Sequence, residues 1–158
     1  MPINATPGSP DANSFATLEE VTAILVVYSG AETWAGTDPG KQERCIVTAA
    51  QELANKRWKG APATTEQAMP FPMTGLCDQY RRVVPSDTIP AWLKRAQAIY
   101  AHELLTADRQ TDARQPQQIK VASINIKFDV GQTRPRLPQS VQDIINPYIC
   151  TGTTVVRA

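Results

Sequence analysis

The stretch 38–58, DPGKQERCIVTAAQELANKRW, decides what kind of chain this is. Asp38 offers a side-chain acceptor to the free amides of a helix start, and Pro39, which has no amide of its own, suits the first helical position. Ile46, Ala49 or Ala50, and Leu53 then recur on one stripe with charge elsewhere, so the segment is an amphipathic helix that Gly60 ends. Upstream, Ser14 or Thr17 caps a helix beginning near Leu18, with Glu19 and Glu20 in the first turn where the helix dipole favours negative charge. Leu18, Val21, Ile24 or Leu25, and Tyr28 keep helical spacing as far as Gly30, although the run from Ile24 to Tyr28 is also compatible with a buried strand.

Downstream, Pro62, Pro70, Pro72, Pro85 and Pro90 prevent a long helix or a central strand across residues 61–90. Met69, Phe71, Met73, Leu76, Tyr80, Val83 and Val84 make the same segment too apolar for an exposed linker. An ordered connection lying across the helices is expected, with a turn of helix near Thr65 to Ala68. Ser86 or Asp87 and Pro90 launch a third helix, in which Leu93, Ala96, Tyr100 and Leu104 share a face flanked by Trp92, Ile99 and Glu103.

Residues 108–118 hold no large apolar side chain and read as a solvated loop. Beyond them Ala122, Ile124, Ile126, Phe128 and Val130 alternate with polar neighbours, the period of a strand. A lone strand leaves its backbone unpaired, so it either folds back on the weak segment Ile119 to Val121 or pairs with another chain. Pro138 starts a short helix carrying Val141, Ile144, Ile145 and Tyr148, broken near Pro147, and Cys150 to Ala158 reads as an extended arm. The expected fold is mainly α, a small helical bundle with a strand or hairpin excursion. Its parts are a flexible N-terminal arm (1–13), a helical body (14–107), a polar loop (108–118), the strand or hairpin with a short helix (119–149) and a tail (150–158).

Composition bounds the function. A chain of 158 residues has no room for two well-buried cores. Sixteen Lys and Arg against fifteen Asp and Glu leave +1, without the basic excess of a dedicated nucleic-acid binder. Leu, Ile, Val and Phe number only 33, a thin core that neighbouring subunits would help to complete. Cys45, Cys77 and Cys150 are odd in number and far apart, which argues against zinc and a disulfide framework. With no apolar leader and no membrane-length apolar window, a soluble protein made in a reducing cytoplasm is expected, with no membrane partner.

Catalytic patterns are missing. The single histidine, His102, lies in mid-helix without an orienting carboxylate, Asp108 and Asp112 sit among arginines in the polar loop, and no phosphate-cradling glycine motif occurs. A protein that is not an enzyme and needs no cofactor or metal is expected. Lys56, Arg57 and Lys59 surround Trp58, while Arg81, Arg82, Lys94 and Arg95 lie near Tyr80 and Trp92, a combination that single strands can use for stacking and charge. Packing of Trp58 against its helix end is favoured over base stacking. Arg134 and Arg136 flank Pro135 and are suited to a phosphate backbone or an acidic partner.

An ordered series carries a family resemblance: Asp11-Ala12-Asn13-Ser14-Phe15, Thr33-Trp34, Lys56-Arg57-Trp58-Lys59-Gly60, Thr65-x-Gln67-Ala68-Met69-x-Phe71-Pro72-x-x-Gly75 and Ile89-Pro90-x-x-Leu93-Lys94-Arg95-Ala96. From about residue 11 to 105 it resembles small tailed-phage proteins often labelled DnaT-like single-strand-binding, which are similar to head-tail adaptor (head completion) proteins. Phe71-Pro72 stands where Trp-Pro is usual. The adaptor resemblance implies a structural protein of the virion neck. It would form a homo-oligomeric ring of twelve copies between the portal protein and a downstream tail or stopper protein, with a lumen passing double-stranded DNA. On that expectation Ile124, Ile126, Phe128, Arg134 and Arg136 form subunit contacts or line the channel, and Thr151, Thr153, Thr154, Val155, Val156 and Arg157 dock on the portal. The alternative implied by the label is single-stranded DNA binding in phage replication.

Overall fold

The computed structural model describes residues 2–106, 118–121, 124–127 and 137–150, and the fold within them is mainly α with a hairpin. Helix α1 (Leu18–Leu25) opens on Thr17, whose hydroxyl accepts from the Glu20 amide at 3.2 Å while the Glu20 carboxylate accepts from the Thr17 amide at 3.1 Å. This reciprocal cap satisfies two amides that the helix start would otherwise leave unpaired. Helix α1 stops at Leu25, short of Tyr28, and leaves Val26 and Val27 exposed. Gly30, at φ 93°, turns the chain into a separate short helix α2 (Ala31–Ala35). A side chain at Gly30 would be strained by that angle and would also meet the His102 ring at 3.0 Å.

Trp34 locks α2 in place. Its indole N–H donates to Thr22 Oγ1 at 3.1 Å, and its carbonyl accepts from Gln42 Nε2 at 2.6 Å. Helix α3 (Pro39–Ala54) has the expected Asp38 cap and buries Ile46, Ala49, Ala50 and Leu53. Strands β1 (Ala61–Pro62) and β2 (Met73–Thr74) form a two-residue antiparallel pair, and the connection around them buries Met69, Phe71, Met73 and Leu76. The expected helical turn at Thr65 to Ala68 does not form. Gln67 instead binds Thr64 and the carbonyls of Met69 and Pro72 through its side chain, a local alternative to helix hydrogen bonding.

Helix α4 (Ala91–Thr106) is the centre of the body, packed on α1, α3 and α5 (Gln139–Ile145), so it is buried over more than the single face its spacing predicts. At its middle, Gln97 is fully buried. Its carbonyl accepts from the Phe15 amide at 3.2 Å, and its amide donates to Ser14 Oγ at 2.7 Å and the Ile46 carbonyl at 3.0 Å. One side chain thus ties the N-terminal segment and α3 to α4. The N-terminal residues, expected as a free arm, fold back: Asn13 donates from its backbone to Asn4 O at 2.9 Å and from its side chain to Pro2 O at 3.1 Å. Ile3 packs on the core.

Strands β3 (Gln118–Val121) and β4 (Ile124–Lys127) pair antiparallel, with Ile119 opposite Ile126 and Val121 opposite Ile124. The strand therefore folds back on its own chain, the first of the two options, and does not need a neighbouring subunit for its pairing partner. Of the residues assigned to subunit contacts or a channel, Ile124 and Ile126 lie in β4. Phe128, Arg134 and Arg136, and the tail residues Thr151, Thr153, Thr154, Val155, Val156 and Arg157, lie outside the described residues.

Candidate nucleic-acid interface

A 3₁₀ turn (Asn146–Tyr148) follows α5, and the chain after it runs back along residues 57–59. The Cys150 amide donates to Arg57 O at 2.7 Å, the Lys59 amide to Tyr148 O at 2.9 Å, and Lys59 Nζ to Pro147 O at 2.7 Å. Trp58 points inward, only 8% exposed, with its ring edge-on to Phe71 at 5.0 Å. Half-buried Trp92 continues the cluster and stacks face to face on Tyr148 at 3.9 Å. Packing takes the Trp58 ring, as expected, so Trp58 offers no face to a base.

The open ring is Tyr80, 70% exposed at the tip of a tight antiparallel turn spanning residues 77–83. Asp78 builds that turn. Its Oδ1 accepts the Tyr80 and Arg82 amides, both at 2.8 Å, and its Oδ2 accepts Arg82 Nε at 2.7 Å. Desolvation would raise the Asp78 carboxyl, but the backbone and side-chain hydrogen bonds of Arg82, the Tyr80 amide and the Arg82 charge outweigh it and hold the group below its ordinary value. The Arg81 amide donates to Asp78 O and the Asp78 amide to Arg82 O, both at 2.9 Å. Arg81 takes the left-handed position of this turn, φ 63°, where glycine is usual. The Arg82 guanidinium carbon lies 5.3 Å from the Tyr80 ring centroid, a cation over an aromatic face.

Beside the tip runs a groove of about 440 Å³, with Gln79 on one wall, Trp92 and Arg95 of α4 on another, and Asp143, Pro147 and Tyr148 closing it. Burial raises the Tyr148 phenol above its ordinary value, helped by the Asp78 charge and opposed by Arg82. Among the basic residues singled out from sequence, Lys94 is engaged by Glu20 at 2.6 Å and Arg82 by Asp78. Arg57, Lys59, Arg81 and Arg95 are exposed and form no ion pair among the described residues. His102 Nε2 lies 3.1 Å from Gly30 O and contributes to the helix junction, while Asp108 and Asp112 are outside the described residues. No group of three or more metal-binding side chains occurs among the described residues. The groove itself was hidden in the sequence, because Gln79, Arg95 and Asp143 belong to three segments that only the packing of α5 on α4 brings together.

Among the described residues, fold and surface define a small helical body that exposes the Tyr80 ring near cations, of which Arg81 and Arg95 form no ion pair. The family model described as "Putative DnaT-like ssDNA binding protein" matches residues 1–158, and the chain belongs to that family. No curated protein and no solved structure matches. This match overturns the head-tail adaptor expectation and, with it, the virion-neck ring of twelve copies, the portal and downstream tail partners, and the lumen for double-stranded DNA. It supports the single-strand-binding alternative.

Proposed function

We propose that this protein binds single-stranded DNA on the face formed by the 77–83 turn and the adjoining groove. The observation that carries this reading, beside family membership, is Tyr80: three hydrogen bonds to Asp78 order a turn whose only large exposed ring serves no core contact. Such a ring can stack on a base, which a single strand exposes and a duplex hides in its own stack. Arg81 flanks the ring, and Arg95 and Lys59 flank the groove next to it, so a sugar-phosphate backbone crossing this face meets positive charge on both sides. With a net charge of only +1, attraction to phosphate rests on local groups of cations such as this one rather than on the charge of the whole chain.

Three phosphate contacts give a log–log salt slope of about −2 for a single strand, so affinity falls about 20-fold between 50 and 200 mM salt. Anisotropy titration of a fluorescent oligo(dT) tests the reading. Tyr80→Ala, at a surface position, should weaken binding by about 5- to 150-fold, the range of one base–aromatic stack. Equal affinity of Tyr80→Ala and the unmodified protein would refute it.

A further inference from the structure

We infer that the groove between α4, α5 and the 77–83 turn receives one unstacked base of the bound strand and prefers guanine. This deepens the single-strand reading and rests on it. At about 440 Å³ the groove falls within the range of small-ligand sites, roughly 300–1,000 Å³. Trp92, Pro147 and Tyr148 supply an apolar wall for a flat ring. Arg95 and Asp143 line the same groove and form no ion pair with each other, so neither charge is neutralised by the other.

Asp143 is the informative residue. A carboxylate beside a polyanion's path opposes the phosphates, so its favourable role is toward the base edge while Arg95 attracts the backbone. Gln139 Nε2 donates to Asp143 Oδ1 at 2.7 Å, which fixes the carboxylate and leaves it further lone pairs. An ionised carboxylate only accepts. Guanine presents two adjacent donors, N1–H and the N2 amino group, to match its two oxygens, whereas thymine presents one N–H between two carbonyl oxygens that the carboxylate repels. Gln79, with both a donor and an acceptor, can serve the remaining polar atoms of the base.

The test compares oligo(dT) with the same oligonucleotide carrying one central dG, using the full chain. The dG oligonucleotide should bind more tightly by about 5- to 150-fold, the discrimination expected of one bidentate base contact. Asp143→Asn keeps an acceptor for Gln139 but replaces the charge by an amide, and should bring the ratio close to one. Asp143→Ala should do the same, and an unchanged helical circular dichroism spectrum in both variants excludes misfolding as the cause. Equal binding of the two oligonucleotides by the unmodified protein, or a ratio that survives both substitutions, overturns the inference. If oligo(dT) still binds and Tyr80→Ala still weakens it, only the groove assignment fails; if neither oligonucleotide binds, the single-strand reading fails with it.

Discussion

Replacing Arg81 by glycine should move stability and binding in opposite directions. Arg81 is the one non-glycine residue with positive φ among the described residues, at 63°, in a turn that Asp78 fixes from both sides. A left-handed conformation costs a residue with a Cβ about 1–2 kcal/mol. Glycine removes that cost but gives the unfolded chain about 0.4–1 kcal/mol more entropy to lose. The net effect is a gain between zero and about 1.5 kcal/mol, or up to about 5 °C in Tm for a chain of this size. The same change deletes one exposed cation beside Tyr80. With one phosphate contact fewer, the salt slope should shrink by about 0.7 and affinity at 0.15 M salt should fall about fourfold. Thermal melts followed by circular dichroism and oligo(dT) anisotropy over a salt series read the two effects separately. A variant destabilised by more than about 1 kcal/mol would refute the turn geometry, and an unchanged salt slope would show that Arg81 meets no phosphate.

Further predictions follow from the same contacts. Gln97→Leu strands the Phe15 amide in the core and removes the extra hydrogen bond to the Ile46 carbonyl, and should cost on the order of 2 kcal/mol in urea unfolding. Trp58→Ala should cost about 3–5 kcal/mol through the cavity it leaves. Trp58→Phe should cost clearly less, because the buried indole N–H has no hydrogen-bond partner to lose, and neither change should abolish DNA binding in protein that remains folded. Asp78 is depressed in the folded protein, so its contribution is fully present above the ordinary carboxyl range near pH 4 and is lost as pH falls through the lower folded value. Hydrogen-exchange protection of the Tyr80 and Arg82 amides, corrected for intrinsic rates, should therefore drop at acid pH before that of α4 does.

Helix α3 was legible because its signals are local: Asp38 and Pro39 start it, and an i, i+3, i+4 stripe continues it. The α1–α2 corner was not. The apolar run through Val26 and Val27 continues a helical pattern, and only the left-handed Gly30, with His102 against its carbonyl from the distant α4, breaks it. The hairpin of β3 and β4 was readable as one of two options, and the backbone register selects self-pairing. The 77–83 turn was masked for a specific reason: its left-handed position holds Arg81 where a glycine or asparagine would have announced the turn. Spacing also cannot say which aromatic faces water. Trp58 and Tyr80 both sit among cations in the sequence, yet the pairing of 57–59 with 148–150 draws one into the core while Asp78 holds the other out.

Where DNA lies on the protein tests the account most directly. Photocrosslinking a bromodeoxyuridine-substituted single strand to the full chain, followed by mass spectrometry, should place the adducts on Tyr80 and on peptides bearing Trp92 or Tyr148, and an equal concentration of unlabelled duplex should not compete them away. Adducts confined to the α1–α2 corner around Val26 and Val27, or their disappearance in the presence of duplex, would contradict it.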